Sequence, residues 1–420
     1  MRDIVVLLFL IYLIFDSIKT PWHSVLALAI FSYMNPHAFA WGFVRSLPVY
    51  FILFLISFGL YLKEKDKQSI FFDWRVKFFI ILWCYFILTT IFATVPDYAL
   101  EKLKSVSKIY LPFLFTLSMI NTRYKLYCLI ATIGCSFGFV AFKGGIFAIA
   151  HGFSYRVWGP TGTQYAGNNE FALATIIAIP LLVLLFTETT HSLFKKFLLF
   201  AIPICIASAI SSWSRGALLA LVGSGGYLLW NSRYKLILIP VTLLGIYILI
   251  PYLPQEWFSR MDTINTYETD ESAMSRIQVW TDGWNYAKSH PFLGAGFEGW
   301  IFVSQRDWHS AYVEIFSEHG FIAFFIWLSM LLGSYISLIK LPVVTKSYPT
   351  LSWVSNYCKA IKASLLAYMI GSAFLGVSYW DLLYHLIFIS ALIKKFALEE
   401  LKVVQKINIE NKNPHLRHLY

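Results

Sequence analysis

Charge is scarce in this 420-residue sequence. Charged residues make up 14%, against 58% hydrophobic and 18% aromatic, and the mean hydropathy is +0.62. A soluble domain carries about a quarter of its residues charged, so that class is excluded and the chain folds in a lipid solvent. Cysteine is equally thin, at five residues. Cys84, Cys128, Cys135 and Cys205 fall in apolar runs and Cys358 in a polar loop, with neither CxxC spacing nor a disulfide framework. Alternation of period two is missing, which excludes a closed β-barrel and leaves helices to satisfy the backbone in lipid. The start, MRDIVVLLFL, lacks a basic leading region and a small-residue cleavage site, and reads as a retained helix in place of a signal peptide.

What the sequence does have is a succession of apolar runs from residue 3 to residue 396, many near the ~20 residues that cross a bilayer. The expected fold is all-α: a polytopic membrane helix bundle of about 12–13 transmembrane helices with one large external loop containing short helices. N-terminal transmembrane helices occupy residues 1–125, and central ones 126–252 with an external loop at 151–169. A large external loop covers 253–309, C-terminal transmembrane helices 310–396 and a basic cytoplasmic tail 397–420.

Orientation follows from the cations of the short loops. Lys63, Lys65, Lys67, Arg75 and Lys77 crowd one loop; Lys195 and Lys196, Arg233 and Lys235, and Lys340, Lys346, Lys359 and Lys362 mark three others. These loops and the C-terminus are expected to be cytoplasmic, and the loops at 35–48, 151–169, 212–215 and 254–308 external. The run at 3–18 then requires either an external N-terminus or a re-entrant first hairpin. The net charge of +11 does not imply nucleic acid, because the cations serve as topology anchors and are not interleaved with exposed aromatics on a soluble domain.

Within the large loop, Ile277, Trp280, Trp284 and Ala287 recur at helical spacing, with Ser272 placed to cap the start and Pro291 to stop the helix. The following PFLGAGFEGW is a glycine-rich turn returning the chain to the bilayer. It follows a helix and lacks the lysine of a phosphate-cradling loop, so it is not read as a nucleotide site.

The costly residues in such a chain are the polar ones. Arg215, in SSWSRGALLALVG, stands at the outer end of a helix beside small residues. Arg276 lies on the loop helix. In RDWHSAYVEIFSEHGFIAFF, His309 is expected in the first turn of a helix, with Tyr312 near its face. Glu314 and Glu318 form an i, i+4 pair lower down, each protonated or bonded within the bundle. Lys143 precedes two glycines near an outer helix end, where it either reaches phosphate or snorkels. Arg156 shares that face, and Asn168 and Asn169 either bind sugar hydroxyls or cap the next helix. The acids from Asp262 to Glu271 have no metal-ligand spacing, so no metal and no cofactor is expected.

HSAYVEIFSEHG resembles the signature of the O-antigen ligase and polymerase superfamily, with Glu318 and Gly320 at the family's offsets from the histidine. SRGALLAL, SRIQVWTDGWNYAKSHPFLGAGFEGW and KGGIFAIAHGFSYRVWGPTGTQYAGNNEFALA agree in order and sidedness. The MRD start and FSYMNPHAFAWGFVRSLP further resemble the O-glycosylation ligases associated with exosortase-type export systems. Ser310, often Asn in the superfamily, and His319, often aliphatic, depart from the pattern. The resemblance implies a transferase at the periplasmic face of the bacterial inner membrane. Its donor is an undecaprenyl-diphosphate-linked glycan, its acceptor a hydroxyl of lipid A core, of a protein or of a growing glycan, and its other partners are membrane lipids. Arg215 and Arg276 are assigned to the diphosphate, with His309 as base or as hydrogen-bonding activator of the donor, and Lys143, Arg156, Asn168, Asn169 and Tyr312 to substrate binding. Glu318 is assigned to structural support. A polymerase of the superfamily would use the same residues, whereas a lipid-linked glycan transporter would need a polar path through the whole membrane.

Overall fold

The computed structural model describes residues 1–262 and 271–412, and among them there is no strand. The first ten helices are α1 (Arg2–Lys19), α2 (His23–Tyr33), α3 (Val49–Lys63), α4 (Trp74–Ile91), α5 (Pro96–Met119), α6 (Arg123–Ala150), α7 (Asn168–Glu188), α8 (Ser192–Ile210), α9 (Arg215–Trp230) and α10 (Lys235–Leu249). The large loop holds α11 (Gln255–Asp262), α12 (Glu271–Ser289) and α13 (Trp300–Val303). The chain ends with α14 (Ala311–Thr345), α15 (Ser352–Gly371) and α16 (Asp381–Lys412). The all-α bundle is therefore as expected.

Among the described residues, six helices are both long and apolar enough to cross a membrane: α4, α6, α7, α8, α10 extended to Tyr252, and α14. This is fewer than the twelve to thirteen expected. The difference has two causes: α2 and α3 are short, at 11 and 15 residues, and α1, α5, α15 and α16 carry charged or polar side chains within their length. The most enclosed of the six is α7, whose apolar window is 78% buried. At the other extreme α10 has no buried residue. The expected tail begins as helix, because α16 continues to Lys412.

Loops gather on two faces. On one, Asp3 accepts hydrogen bonds from the N–H groups of Trp41, Gly42 and Val44 (2.9–3.4 Å), which ties the start of α1 to the 35–48 loop. Asn35 Nδ2 reaches Thr161 O at 3.2 Å, Val157 N reaches Ser211 O at 3.0 Å, and Arg260 Nε reaches Trp213 O at 2.9 Å. The N-terminus thus shares a face with the large loop. On the other face, Gln68 bonds Leu117 O and Ile120 O, Asn356 bonds Glu188, and Trp353 bonds Glu400. Arg75, counted among the loop cations, is fully buried there: its guanidinium pairs with Asp73 (Nε–Oδ1 2.7 Å) and with Ser390 Oγ at 2.6 Å.

The longest helix is broken where the site lies. Gly320 in α14 has φ 73° and ψ 178°, a conformation open essentially to glycine alone. The break frees backbone groups inside the protein, and the 291–296 turn satisfies them. Ala295 N donates to Ser317 O (2.9 Å), Gly296 N to Glu318 O (2.7 Å), and Phe321 N to Pro291 O (2.8 Å). Irregular backbone at membrane depth is tolerated when protein seals it in this way. The glycine-rich turn is thus a plug for a broken helix.

Candidate active site

Four segments of the loop face converge beside the start of α14. The loop helix α12 spans Glu271–Ser289 and ends before Pro291 as expected; the side chain of Ser272, the expected cap, lies outside the described residues. Its buried face differs from the expected stripe. Val279, Gly283 and Ala287 point inward with Trp280 half-buried, while Ile277 and Trp284 are exposed. Gly283 sets this face, because a Cβ there would stand 2.5 Å from Ser317 Oγ and 2.9 Å from the Trp308 ring, so the helix presses closest along its small residues. Trp284 lies aside, edge-on to Phe316 and Phe321.

Trp308 is the anchor of the site. Fully buried, it donates its indole N–H to Glu318 Oε1 (3.0 Å), and its carbonyl accepts the indole N–H of Trp280 (2.9 Å). Glu318 is in turn bonded by Tyr379 OH at 2.6 Å, and Glu314 by the N–H (3.0 Å) and hydroxyl of Ser378. His319 sits fully buried between Thr89 Oγ1 (2.6 Å) and Tyr379 OH (2.9 Å). Glu314, Glu318 and His319 therefore lock α14 to α4 and to the 372–380 segment.

His309 is not in the first turn of that helix. Ser310 is the N-cap residue, and His309 precedes it with φ 49°, in the left-handed region. Clamping Trp308 inward forces the chain to turn sharply before it can start the helix, which leaves the imidazole half-exposed at the surface of the site. Its Nδ1 lies 3.8 Å from Asp307 Oδ2.

Arg215 opens α9, whose first turn is capped by Ser214, and Arg276 lies one turn before Trp280 on α12. Their neighbours meet at Phe374: its side chain is 3.1 Å from where a Cβ on Gly216 would stand, and its ring packs against Trp280 at 6.4 Å. Through Trp280 and Trp308 this contact continues to His309, so the neighbourhoods of the three principal candidates form one patch. Arg156 borders it, stacked over Trp213 at 5.3 Å. Asn168 caps no helix; its amide bonds Ser212 O at 2.8 Å and fixes the turn before Arg215. Asn169 beside it is half-buried.

Two candidates stand apart. Lys143 is exposed over the ring of Phe39, and Tyr312 OH is committed to Met369 O at 2.9 Å on α15. Sequence reasoning missed Asp307, although it lies in the stretch that drew attention to His309. It also missed Lys102, which pairs with Glu298 at 2.6 Å on the rim, and Trp280 as a hydrogen-bond donor. Nothing at residue 102 signals this role, because its partner is remote in the chain. Among the described residues no group of three His, Cys, Asp or Glu side chains is arranged to hold a metal ion; Glu268 and Asp270 of the acidic stretch lie outside them.

Residues 198–328, which include Arg215, Arg276 and His309, match the family model described as O-Antigen ligase. This domain supports placing the chain in the O-antigen ligase superfamily. This makes it a bacterial membrane protein of the glycosyltransferase type found in O-antigen ligases and polymerases, for which lipid-linked glycans serve as donors. Residues 1–192 match a second model, described as a family of unknown function (DUF5935). That part supplies Lys102 and Arg156 to the surroundings of the candidate site. No curated protein matches the chain.

Proposed function

We propose that this superfamily member transfers a glycan from undecaprenyl diphosphate to an acceptor hydroxyl, on lipid A core or protein, at the periplasmic face of the inner membrane. The observation that carries the reading is the meeting of the Arg215, Arg276 and His309 neighbourhoods on one loop face, within the matched ligase segment. The cation-rich short loops lie on the opposite face, the arrangement expected when the site faces outward. Guanidinium groups suit phosphate oxygens in geometry and charge, and Arg215 and Arg276 hold the diphosphate and stabilise it as it leaves. His309, exposed at the same patch, takes the proton of the attacking hydroxyl. Displacement in a single step inverts the anomeric centre and needs no metal. Arg156 and Asn169 border the glycan path.

The test uses full-length protein in liposomes with undecaprenyl-diphosphate glycan and a panel of acceptors, with and without EDTA, read by product mass. Transfer to lipid A core or protein that EDTA leaves intact supports the proposal. Transfer only to a second carrier-linked glycan would assign polymerase activity, and movement of the donor across the bilayer without transfer would assign transport.

A further inference from the structure

We infer that Asp307 is a positioning residue for His309: its carboxylate holds the Nδ1–H of the imidazole, so that Nε2 is the nitrogen turned to the acceptor hydroxyl. The inference rests on the transfer reaction proposed above and decides between base and donor activator.

The observations are geometric. Asp307 Oδ2 and His309 Nδ1 are 3.8 Å apart, and both side chains are half-exposed, on either side of a tryptophan that points the other way into the protein. Trp308 is clamped at its indole by Glu318 and at its carbonyl by Trp280, so the backbone carrying both partners is fixed from two directions. The left-handed backbone at His309 is the kind of strain that surrounding structure must impose, and it gathers at functional sites. Across from the pair stands Gly376, where a Cβ would come within 3.3 Å of Asp307 Oδ1. The bare backbone there leaves room for the carboxylate. A carboxylate–imidazole hydrogen bond closes at about 2.7–2.9 Å, so the remaining gap is about 1 Å, within reach of a side-chain rotation. Catalytic hydrogen bonds in unliganded enzymes are commonly long and tighten when substrate binds.

Nearby, Glu314 on α14 is already bonded by Ser378, and Lys102 pairs with Glu298. Asp307 is the carboxylate that meets His309 itself. With Nδ1–H donated to Asp307, the lone pair on Nε2 accepts the proton of the acceptor O–H. The acceptor oxygen bonds to the anomeric carbon as the bond from that carbon to the diphosphate oxygen breaks, and the electron pair departs on undecaprenyl diphosphate. The imidazolium then returns its proton to solvent.

Two measurements on full-length protein in liposomes test this. In the transfer assay, Asp307→Asn is expected to lower kcat by about 10- to 100-fold with donor KM within about twofold, and Asp307→Glu to recover most of the loss, since general-base assistance is worth about 10²–10⁴. In solid-state NMR of ring-15N histidine near pH 8, with signals assigned by loss in His309→Ala, wild type is expected to carry the proton on Nδ1 and Asp307→Asn to lose that preference. An unchanged kcat in Asp307→Asn, a loss that falls on donor KM, or an unchanged tautomer overturns the inference. If wild type transfers nothing, the proposed function fails, while the tautomer still decides the pairing.

Discussion

Replacing Gly320 by alanine tests the account of the broken helix with a single methyl group. The added Cβ would stand 2.3 Å from Phe292 O, 2.5 Å from Phe292 C and 2.6 Å from Pro291 O, all backbone atoms that cannot rotate away. The residue would also be held at φ 73°, which costs a side chain about 1–3 kcal/mol. Relief requires the 291–296 turn to lift, breaking the three hydrogen bonds it makes to Ser317, Glu318 and Phe321. At about 0.5–1.5 kcal/mol each, the bonds add about 1.5–4.5 kcal/mol. The total, about 2.5–7.5 kcal/mol, is a large part of the stability of an ordinary domain. The assay is thermal unfolding in detergent together with the rate of proteolysis within 291–300. A lower midpoint and faster cleavage in the turn are expected. Gly59→Ala, where a Cβ meets nothing within 4 Å, serves as the control and should leave both unchanged. A Gly320→Ala variant with wild-type midpoint and cleavage refutes the plug.

Other consequences follow from the same contacts. Glu318→Ala leaves the indole N–H of Trp308 and the hydroxyl of Tyr379 without their acceptor; at about 1–3 kcal/mol for each stranded group, thermal unfolding should show a loss of about 2–6 kcal/mol, with transfer activity falling too. Burial alone would raise the Asp73 carboxyl, but the hydrogen bonds and charge of Arg75, with Lys394, hold it below the ordinary value. Its folded value is depressed, so its contribution is complete above the unfolded pKa of about 3.9 and lost as pH falls through the folded one. Stability measured against pH should therefore decline below about pH 4, and Asp73→Asn should flatten that decline. Arg215→Lys and Arg276→Lys keep the charge and lose the planar fork; each should lower kcat/KM for the diphosphate donor by about tenfold or more, measured in the transfer assay.

Much of this was legible in the sequence because the bilayer makes polar residues expensive. The all-α bundle and the loop helix ending at Pro291 came from apolar runs and helical spacing, whereas the grouping of Arg215 and Arg276 with His309 came from the resemblance to the O-antigen ligase superfamily. What stayed hidden depended on contacts between remote segments. Gly320 stood at the family's offset, yet its purpose needs the backbone of residues 291–296. His309 looked like a first-turn residue because helical periodicity carries no sign of a clamp on Trp308. The face of α12 was misjudged because large aromatics such as Trp284 dominate a periodicity pattern, whereas Gly283 and Ala287 decide how closely the helix packs. Only six of the described helices are both long and apolar enough to be counted as candidate spans, because apolar runs do not reveal which helices stay short or carry charge. Lys102 reaches Glu298 from the part of the chain that matches a family of unknown function.

The central claim is that His309 performs chemistry at a donor site built by other residues. Its most direct test separates binding from transfer in His309→Ala, using labelled undecaprenyl-diphosphate glycan and the same liposomes for both measurements. The account predicts a donor Kd within about twofold of wild type and single-turnover transfer slowed by about 10²-fold or more. Transfer within a few-fold of wild type, at unchanged donor affinity, would contradict it.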